Sequence, residues 1–475
     1  MATHNIPEAL VAPMKTLALL VIVPALLSLT APRASALDLN HVLMAARHHD
    51  MGFAESGASY REARTEGPEA RSAFLPHIQA YAGTAYNDLN SQILGGMPGF
   101  AFPSGHFAFN SHGYGISVHQ ALLNIQALYT YDAVGHTLAA AKIRYRIAKS
   151  RLALVVTQEY FTFLLARDDL RLTIAEGRAL REELARAKRS FALGRANITD
   201  ANEARARYEA VQAERLGAQN ALRIARSRIE RMIGVPAYHL WRLALTRPLP
   251  PPQQGGLAIE EAIAMRENLV LRAARDTARA ANAMARASGA RHYPTITAEA
   301  TYSYNRANNG QFGFGSSLHQ KTIGLDLSIP LYQGGELSAA RAHAVAQAYK
   351  AHIVVLRTER RVQFDVHQAL LNINNGYAQV RALKAAEHAA HVALASDRLG
   401  VRVGVRNTLD VLRAEQAYYR SRRDVAKATY NYLLSRLSLK AAISHLTQGD
   451  INRLNALLRP PSGRSRPIDH AAKPG

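Results

Sequence analysis

Two stretches of the sequence, "TITAEATYSYN" from Thr295 to Asn305 and "TIGLDLSIPLYQGG" from Thr322 to Gly335, alternate between apolar and polar residues. Such alternation is typical of β-strands, in which successive side chains point to opposite faces. Isoleucine, alanine, leucine and tyrosine share one face, whereas threonine, serine and acidic residues share the other. The two stretches therefore predict a hairpin with one apolar and one polar face.

The length and polarity of these strands match strands that cross an outer membrane. There, apolar side chains face lipid, polar side chains face the lumen, and about 10 residues complete a tilted crossing. Each strand taken singly also fits the half-buried strand of an ordinary sheet. The strands alone therefore leave two interpretations open.

The same layout occurs twice in the chain. "FLPHIQAYAGTAYN" from Phe74 corresponds to "HYPTITAEATYSYN" from His292, and "GRANITDANEARARYEA" from Gly194 corresponds to "GVRNTLDVLRAEQAYYR" from Gly404. The glycine, asparagine and aspartate of the last motif each stand 210 residues after their counterparts. An internal two-fold repeat is therefore predicted, each half holding two strands, a long helix, a Gly-x-x-Asn break and a second long helix.

Small and apolar residues follow a 3-4 spacing after both breaks, which predicts coiled-coil packing of the helices. The uninterrupted helical run from about Gly335 to Leu399 corresponds to roughly 100 Å at about 1.5 Å per residue. Periodicity alone also fits a secreted structural coiled-coil protein without a pore. After the first break the predicted seam comprises Ala201, Ala204, Tyr208, Val211, Ala218, Leu222, Ala225, Ile229 and Met232.

Four strands per chain are too few to close a barrel, and open strand edges are not tolerated in lipid. If the strands lie in a membrane, the chain must therefore oligomerise. Three chains supply twelve strands, a number within the range of outer-membrane barrels. The expected fold class is an α+β membrane protein in which three chains share a 12-stranded outer-membrane β-barrel.

The N-terminus has the layout of a secretory signal peptide. Lys15 precedes an apolar run from Leu17 to Leu29, and Ala34-Ser35-Ala36 forms an A-x-A cleavage site, so the mature chain is expected to start near Leu37. The apolar run is shorter than the ~20 residues of a transmembrane helix. The chain also contains no cysteine, which excludes disulfides, thiolate metal sites and a lipidated N-terminal cysteine.

Composition and motifs argue against several other functions. The net charge is +22, but arginines are spread along helix faces and the chain is exported, so nucleic-acid binding is not expected. No cofactor is expected, and no paired carboxylates stand beside a nucleophile or base, so no enzyme is predicted. His106 and His112 lie in a Gly-rich segment (Gly95–Gly113) interpreted as an external loop, and His388 is one turn from His391; neither pair is predicted to bind metal.

The stretches "SIPLYQGG" from Ser328 and "VGVRNTLDVLRAEQAYYRSRRDVAKATYNYLLSRLSLKAAI" from Val403, together with the motif from Gly194, resemble the TolC family of outer-membrane efflux proteins. The resemblance extends from Leu37 to about Leu458. It implies a homotrimeric duct that passively exports proteins or drugs. In this duct the 12-stranded outer-membrane β-barrel is continued by a long periplasmic α-helical barrel. Its implied partners are a periplasmic adaptor, an inner-membrane ABC exporter or proton-driven pump, and outer-membrane lipid.

The resemblance also implies roles for residues at the helix breaks, which lie at the periplasmic tip in this family. Gly194 and Gly404 match the tip breaks. The family's D-V-L-D motif, which places two rings of carboxylates at the entrance, is "DVLR" here, so Asp410 is retained whereas the second acid is Arg413. Glu203 occupies the position equivalent to Arg413 in the first repeat.

The family's gate-locking arginine matches Arg406, and its partner aspartate matches Asp200. The tyrosine that joins that lock in the family is Val401 here. Our hypothesis is that Arg413 weakens the acidic ring and in part pairs with Glu203, against the alternative that Arg413 faces solvent.

The expected organisation can be stated by segments, in which "equatorial" denotes the belt around the middle of the helical barrel. The segments are a signal peptide (1–36), an N-terminal helix (37–75), barrel hairpin 1 (76–122), periplasmic helix pair 1 (123–236), an equatorial linker (237–258), an equatorial helix (259–292), barrel hairpin 2 (293–331), periplasmic helix pair 2 (332–446) and a C-terminal equatorial segment with a disordered tail (447–475).

Overall fold

The computed structural model describes residues 37–91, 105–194, 196–244, 248–252, 256–309 and 314–460. The predicted signal peptide and the predicted tail after Pro460 lie outside these residues. None of the helices in the described ranges combines the length and the apolar composition that a membrane-spanning helix requires.

The described chain contains two similar halves. The first half consists of α1 (Leu39–His49), α2 (Met51–Ser72), β1 (His77–Ser91), β2 (Gly105–Leu123), α3 (Ile125–Ala192) and α4 (Ile198–Ile233). Between the halves lies β3 (Arg242–Leu243). The second half consists of α5 (Leu257–Glu267), α6 (Leu269–Ala290), β4 (Thr295–Ala307), β5 (Ser316–Ser328), α7 (Glu336–Arg402) and α8 (Thr408–Ala442), and α9 (Gln448–Asn455) and β6 (Leu458–Arg459) follow.

The halves match in element order and nearly in helix length. The four helices of the first half have 11, 22, 68 and 36 residues, and those of the second have 11, 22, 67 and 35. The predicted internal repeat is confirmed. At about 1.5 Å per residue, α3 and α7 each extend roughly 100 Å.

The four long strands form one antiparallel sheet in the order β1-β2-β4-β5. The register places apolar residues of all four strands on one face, which also carries His319 and Lys321 of β5. The apolar residues are Ile78, Tyr86, Tyr114, Ile116, Val118, Ile296, Ala300, Tyr302, Tyr304, Ile323, Leu325 and Leu327. This face is open to the surroundings, and Ile323 is 89% exposed. Within the described residues, β1 and β5 each pair on one side only, so both sheet edges are free.

The segment Gly95–Gly113 is not wholly a loop. Its residues from Gly105 onward belong to β2, where they pair with β1 from Ser91 to Gly83. Glycine and polar residues obscured the strand because its alternation there is carried by Phe107 and Phe109, on the face opposite to Tyr114. The remainder of the segment, 95–104, lies outside the described residues.

The helices expected over 37–75 and 259–292 are each divided in two. Asp50 adopts an extended backbone between α1 and α2, and its carboxylate accepts a hydrogen bond from the Phe53 amide at 2.8 Å. Asn268 does the same between α5 and α6, accepting from the Leu271 amide at 2.9 Å. Such N-caps satisfy amides that have no partner inside the helix, and they start a new helix without glycine or proline.

α6 is also not confined to an equatorial position, because it lies along the long helices α3 and α7. Leu271 and Ala278 of α6 pack against Val355 of α7, and Ala273 packs against Ile143 of α3. At its start, the Asn268 side chain donates to the Ala442 carbonyl oxygen at 2.6 Å, so α6 begins beside the end of α8.

The largest apolar core lies where the chain ends and the linker meet the long helices. Leu39 and Leu43 of α1, Tyr160 and Leu164 of α3 and Leu240 of the linker are buried there. The Tyr160 hydroxyl donates to the Trp241 carbonyl at 2.9 Å. β3 and β6 pair beside this core. These contacts tie the N- and C-terminal segments to the middle of the helices and leave the helix ends beyond free to form a separate tip.

Candidate functional site at the helical tip

Each pair of long helices ends in a tight turn built on a glycine. Gly194 after α3 has φ 68°, and Gly404 after α7 has φ 80°. This left-handed conformation is strained for residues with a Cβ atom, so glycine is favoured at both turns. Asn197 and Asn407 then cap α4 and α8 with their side-chain oxygens. The Gly-x-x-Asn motif is thus a helix stop followed by a helix start.

Asp410 is held by the start of α8. The Asn407 side chain accepts from the Asp410 amide at 2.9 Å, and the Asp410 carboxylate accepts from the Asn407 amide at 3.4 Å. This reciprocal capping box places a carboxylate at the positive end of the helix dipole. Asp410 therefore has a local structural role in addition to any role in an acidic ring.

Arg406 forms ion pairs with acids on the two helices that its turn connects. Its guanidinium lies 3.6 Å from Asp397 and 3.8 Å from Asp410. Among the described residues of one chain, no ion pair joins Arg406 to Asp200, and position 401 offers no hydroxyl because it is valine. A contact between Arg406 and Asp200 thus requires a second chain or another arrangement of the tip.

Gly400 allows Arg406 to take this position. The amides of Val405 and Arg406 donate to the Gly400 carbonyl at 2.9 and 3.2 Å, which folds the turn back over the last turns of α7. A Cβ atom on Gly400 would lie 2.5 Å from Cγ of Arg406. Sequence reasoning missed both Gly400 and Asp397, because their proximity to Arg406 arises from the turn at Gly404 and not from helical spacing.

Arg413 and Glu203 do not contact each other in the single described chain. Arg413 is exposed and Glu203 is half-buried. One turn further from the tip on the same helices, Arg207 of α4 donates to Gln416 of α8 at 2.9 Å. Because residues three or four positions apart share a helix face, Glu203 and Arg413 lie on the facing sides of α4 and α8.

A small apolar cluster joins three helices just behind the tip. Leu412 of α8 is 1% exposed and packs against α3 and α4. The other members are Leu180, Ala187, Ala201, Ala204 and Val211. The α7–α8 pair thereby packs against the α3–α4 pair, next to the charged residues of the tip.

A buried ion pair joins α7 and α8 near this cluster. Glu415 of α8 has no exposed side-chain surface, and its carboxylate accepts from Arg398 of α7 at 2.5 Å. Burial raises the pKa of Glu415, and the neighbouring Glu183 adds to the rise. Arg398 and Glu415 lie on either side of the turn between α7 and α8, so the antiparallel pairing of these two helices was the signal that could have revealed this contact.

The end of the tip also carries exposed apolar residues. Leu193 and Val403, at the ends of α3 and α7, are 66% and 64% exposed, and Val405 is 75% exposed. The described residues hold no cluster of three or more histidine, aspartate or glutamate side chains arranged to bind a metal ion.

A comparison with protein families finds that the outer membrane efflux protein family matches residues 42–235 and 259–445. The two matched segments correspond to the two halves of the fold and exclude the linker. The chain belongs to the outer membrane efflux protein family.

Relatives match over nearly their whole length. The proteases secretion protein PrtF of Dickeya chrysanthemi is 26% identical over 439 residues, which cover 92% of this chain and 94% of that protein. The outer membrane protein TolC of Vibrio cholerae is 29% identical over 412 residues, or 85% of this chain and 90% of that protein.

Solved structures of outer membrane proteins share the fold. The Campylobacter jejuni CmeC channel superposes with a TM-score of 0.75 at 14% identity and covers 89% of this chain and 90% of CmeC. VceC of Vibrio cholerae gives a TM-score of 0.73 at 18% identity, with 85% and 95% covered. This member of the efflux family is an outer-membrane export channel that extends into the periplasm, and not a secreted coiled-coil protein without a pore.

Proposed function

We propose that three copies of this chain form a closed duct, each contributing four strands to a twelve-stranded barrel and its long helices to a periplasmic helical barrel. The supporting observation is the four-stranded sheet, which has one largely apolar face and two free edges. Backbone groups at a free edge have no water to bond in lipid, so each edge requires a neighbouring strand. Joining β5 of one copy to β1 of the next satisfies both edges.

The apolar face then contacts lipid and the opposite face lines the lumen. That opposite face carries polar side chains across all four strands: Gln79, Asn87, Ser117, His119, Glu299, Thr301, Thr322 and Asp326. The alternation of lipid-facing and lumen-facing residues is the pattern of transmembrane barrels. The exported cargo therefore passes a polar wall.

The tip is the gate of the proposed duct. Asp410 of each copy contributes to an acidic ring, and Arg413 weakens that ring and in part pairs with Glu203 across the facing sides of α4 and α8. Arg406 locks the tip through Asp200 of a neighbouring copy, in addition to its own Asp397. Opening is an iris-like loosening of the α7–α8 pair from the α3–α4 pair.

The energy for transport comes from partners. The exposed apolar residues of the tip, with Leu193, Val403 and Val405 at its end, form a surface of the kind that proteins cover by association. We assign this surface to a periplasmic adaptor that connects the duct to an inner-membrane ABC exporter. The chain itself acts as a passive channel without a cofactor and without catalysis.

The proposed cargo is protein. PrtF and the alkaline protease secretion protein AprF of Pseudomonas aeruginosa, which is 26% identical over 354 residues, are both named for protease secretion. Efflux of small molecules through a proton-driven pump is the second candidate, favoured by the similar match to TolC.

A deletion of the gene distinguishes the two cargo classes. If the duct serves protein secretion, specific proteins disappear from the culture medium and accumulate in the cell, while the lowest inhibitory concentrations of dyes, detergents and antibiotics remain unchanged. The reverse result would assign the duct to small-molecule efflux. Complementation with the wild-type gene is the control for effects on neighbouring genes.

A further inference from the structure

A second polar contact between the two helix pairs lies far behind the tip. Within one chain, α8 lies along α3, and this contact joins the first pair (α3, α4) to the second (α7, α8). At this interface both terminal nitrogens of Arg423, on α8, donate to Oε2 of Glu176, on α3, at 2.8 and 2.9 Å. A charge pair therefore bridges the surface along which the helix pairs must separate.

The pair is enclosed by the helices. The Glu176 side chain is 4% exposed and that of Arg423 is 25% exposed. Asp169 of α3 and Glu214 of α4 lie 3.8 and 3.9 Å from the same guanidinium. Arg423 is thus the cation that serves three carboxylates from two helices of the first pair, and removing its charge would leave Glu176 buried without its partner.

The charges around Glu176 are unbalanced. Burial is the main cause that raises the pKa of Glu176, to about 7, and Glu214, Glu415 and Asp169 add to the rise whereas Arg423 lowers it. Glu176 therefore gains its proton near neutral pH while it remains docked. When α8 separates from α3, water reaches the carboxyl and its affinity for the proton falls.

The contact is well separated from the tip. Glu176 precedes Gly194 by 18 positions along the chain, which corresponds to about 27 Å at ~1.5 Å per residue. It is therefore distinct from the Arg406, Asp410 and Arg413 region. A rotation of α8 about this point would move its tip end, because an intact helix transmits the motion along its length.

We propose that the Arg423–Glu176 pair is a latch that positions the α7–α8 pair against the α3–α4 pair and holds the duct closed. Its role in closure rests on the proposed function, whereas the contact itself belongs to the single chain. Arg423 and Glu176 are positioning residues, because they act on the gate through the helices and do not touch the cargo path at the tip.

The latch has a defined pH dependence. Because the docked carboxyl of Glu176 has the higher pKa, the docked state binds a proton that the separated state releases. The docked state is therefore favoured as the pH falls from about 7 toward the ordinary range of a glutamate. Above pH 7 docking depends on Arg423, since the ionised carboxylate then requires its partner.

The first test measures hydrogen exchange of the full-length oligomer in detergent. Arg423→Gln is expected to accelerate exchange of the amides of α8 between the tip and residue 423 by at least about tenfold at pH 8, because it leaves a buried carboxylate unpaired. Arg420→Gln is the matched control, because it removes the same charge. Arg420 is exposed and lies one turn nearer the tip. Equal exchange in Arg423→Gln and Arg420→Gln would overturn the latch.

The double variant Glu176→Gln/Arg423→Gln separates a latch from simple damage to the fold. It removes both charges and is expected to return exchange to within about threefold of the wild type. Lowering the pH to 6 should likewise reduce the effect of Arg423→Gln, after correction for intrinsic exchange rates. The pairing would be contradicted if the amides of α8 exchanged as fast in the double variant as in Arg423→Gln, and if exchange in Arg423→Gln were no slower at pH 6 than at pH 8.

Single-channel recordings then connect the latch to the duct. Arg423→Gln should raise the open-channel current or its frequency at pH 8, and Arg420→Gln should not. If wild type and variants all fail to conduct although hydrogen exchange responds as expected, the proposed function fails, and only the role of the pair in positioning the helix pairs stands. If the wild type conducts and Arg423→Gln conducts identically, its role in closure is overturned.

Discussion

Arg398 and Glu415 face each other across the turn that ends α7 and begins α8, with 2.5 Å between guanidinium nitrogen and carboxylate oxygen. Glu415 is fully buried, and one of its oxygens has no hydrogen-bond partner among the described residues. The tip is thus built on a carboxylate that has a single strong partner. Loss of that partner has a predictable consequence.

Arg398→Gln should lower the temperature at which the oligomer dissociates by several degrees at pH 8, because it leaves Glu415 charged and buried. Burial raises the pKa of Glu415, so its neutral form is favoured and a fall in pH should restore part of the loss. Thermal dissociation followed on gels at pH 8 and pH 6 measures both effects. Arg402→Gln, at an exposed site of the same helix, is the control, and an identical loss in both variants would refute the pairing.

Gly400→Ala should loosen the tip, since the new methyl group would occupy the place of the Arg406 side chain. The variant is expected to increase single-channel conductance by displacing Arg406 from Asp397 and Asp410. Gly217→Ala adds the same methyl group on an exposed face of α4 with no atom within 4 Å, and it should leave conductance unchanged. A wild-type conductance in Gly400→Ala would show that the position of Arg406 does not control the gate.

Asn407→Ala should destabilise the first turn of α8 by about 1 kcal/mol, the usual cost of losing an N-cap. The Asp410 amide would lose its acceptor, so exchange of the first amides of α8 should accelerate. Asn407→Ser retains a capping oxygen and should exchange like the wild type. Equal exchange in the alanine and serine variants would show that the cap does not order this turn.

Arg413→Asp tests the charge of the entrance. If Arg413 reaches the lumen, this change restores a second acidic ring, and the cation/anion permeability ratio should rise together with block by multivalent cations. Arg420→Asp, at an exposed site two turns further along α8, should have the smaller effect. An unchanged ratio in Arg413→Asp would place the side chain outside the cargo path.

Ile323→Lys and Thr322→Lys compare the two faces of β5. Ile323 lies on the apolar face and Thr322 on the polar face, at adjacent positions of the same strand. A lysine on the lipid face costs about 2–4 kcal/mol near the middle of the bilayer, whereas a lumen-facing lysine is tolerated. The amount of heat-resistant oligomer in the outer-membrane fraction should therefore fall in Ile323→Lys only. Equal amounts would contradict the assigned faces.

Much of the fold could be predicted from the sequence, because its signals are periodic and duplicated. The seam after the first break is largely buried as its spacing predicts, including Ala204, Val211 and Ile229. The helix starts at Asp50 and Asn268 were missed, since a single polar residue in a helical pattern is a weak signal. Asn268 ends a helix here because its side chain also meets the end of α8, a contact that no local pattern contains.

The positions of the two turns were predicted from the sequence, but the contacts around them were not. The Gly-x-x-Asn motif identified both turns, because a left-handed glycine and an N-cap leave local signatures. The partners of Arg406 could not be inferred, since Asp397 and Gly400 approach it only through the fold of the turn. The Glu176–Arg423 pair lies beyond sequence reasoning for a similar reason, because it joins residues from opposite halves of the repeat.

The most direct measurement is the single-channel conductance of purified, detergent-extracted oligomer in a planar lipid bilayer. We predict a trimer that inserts and gives a small, stable conductance through a closed tip, and a larger conductance in Gly400→Ala. A folded trimer that inserts but conducts no current, in the wild type and in Gly400→Ala alike, would contradict a transmembrane duct gated at the helical tip.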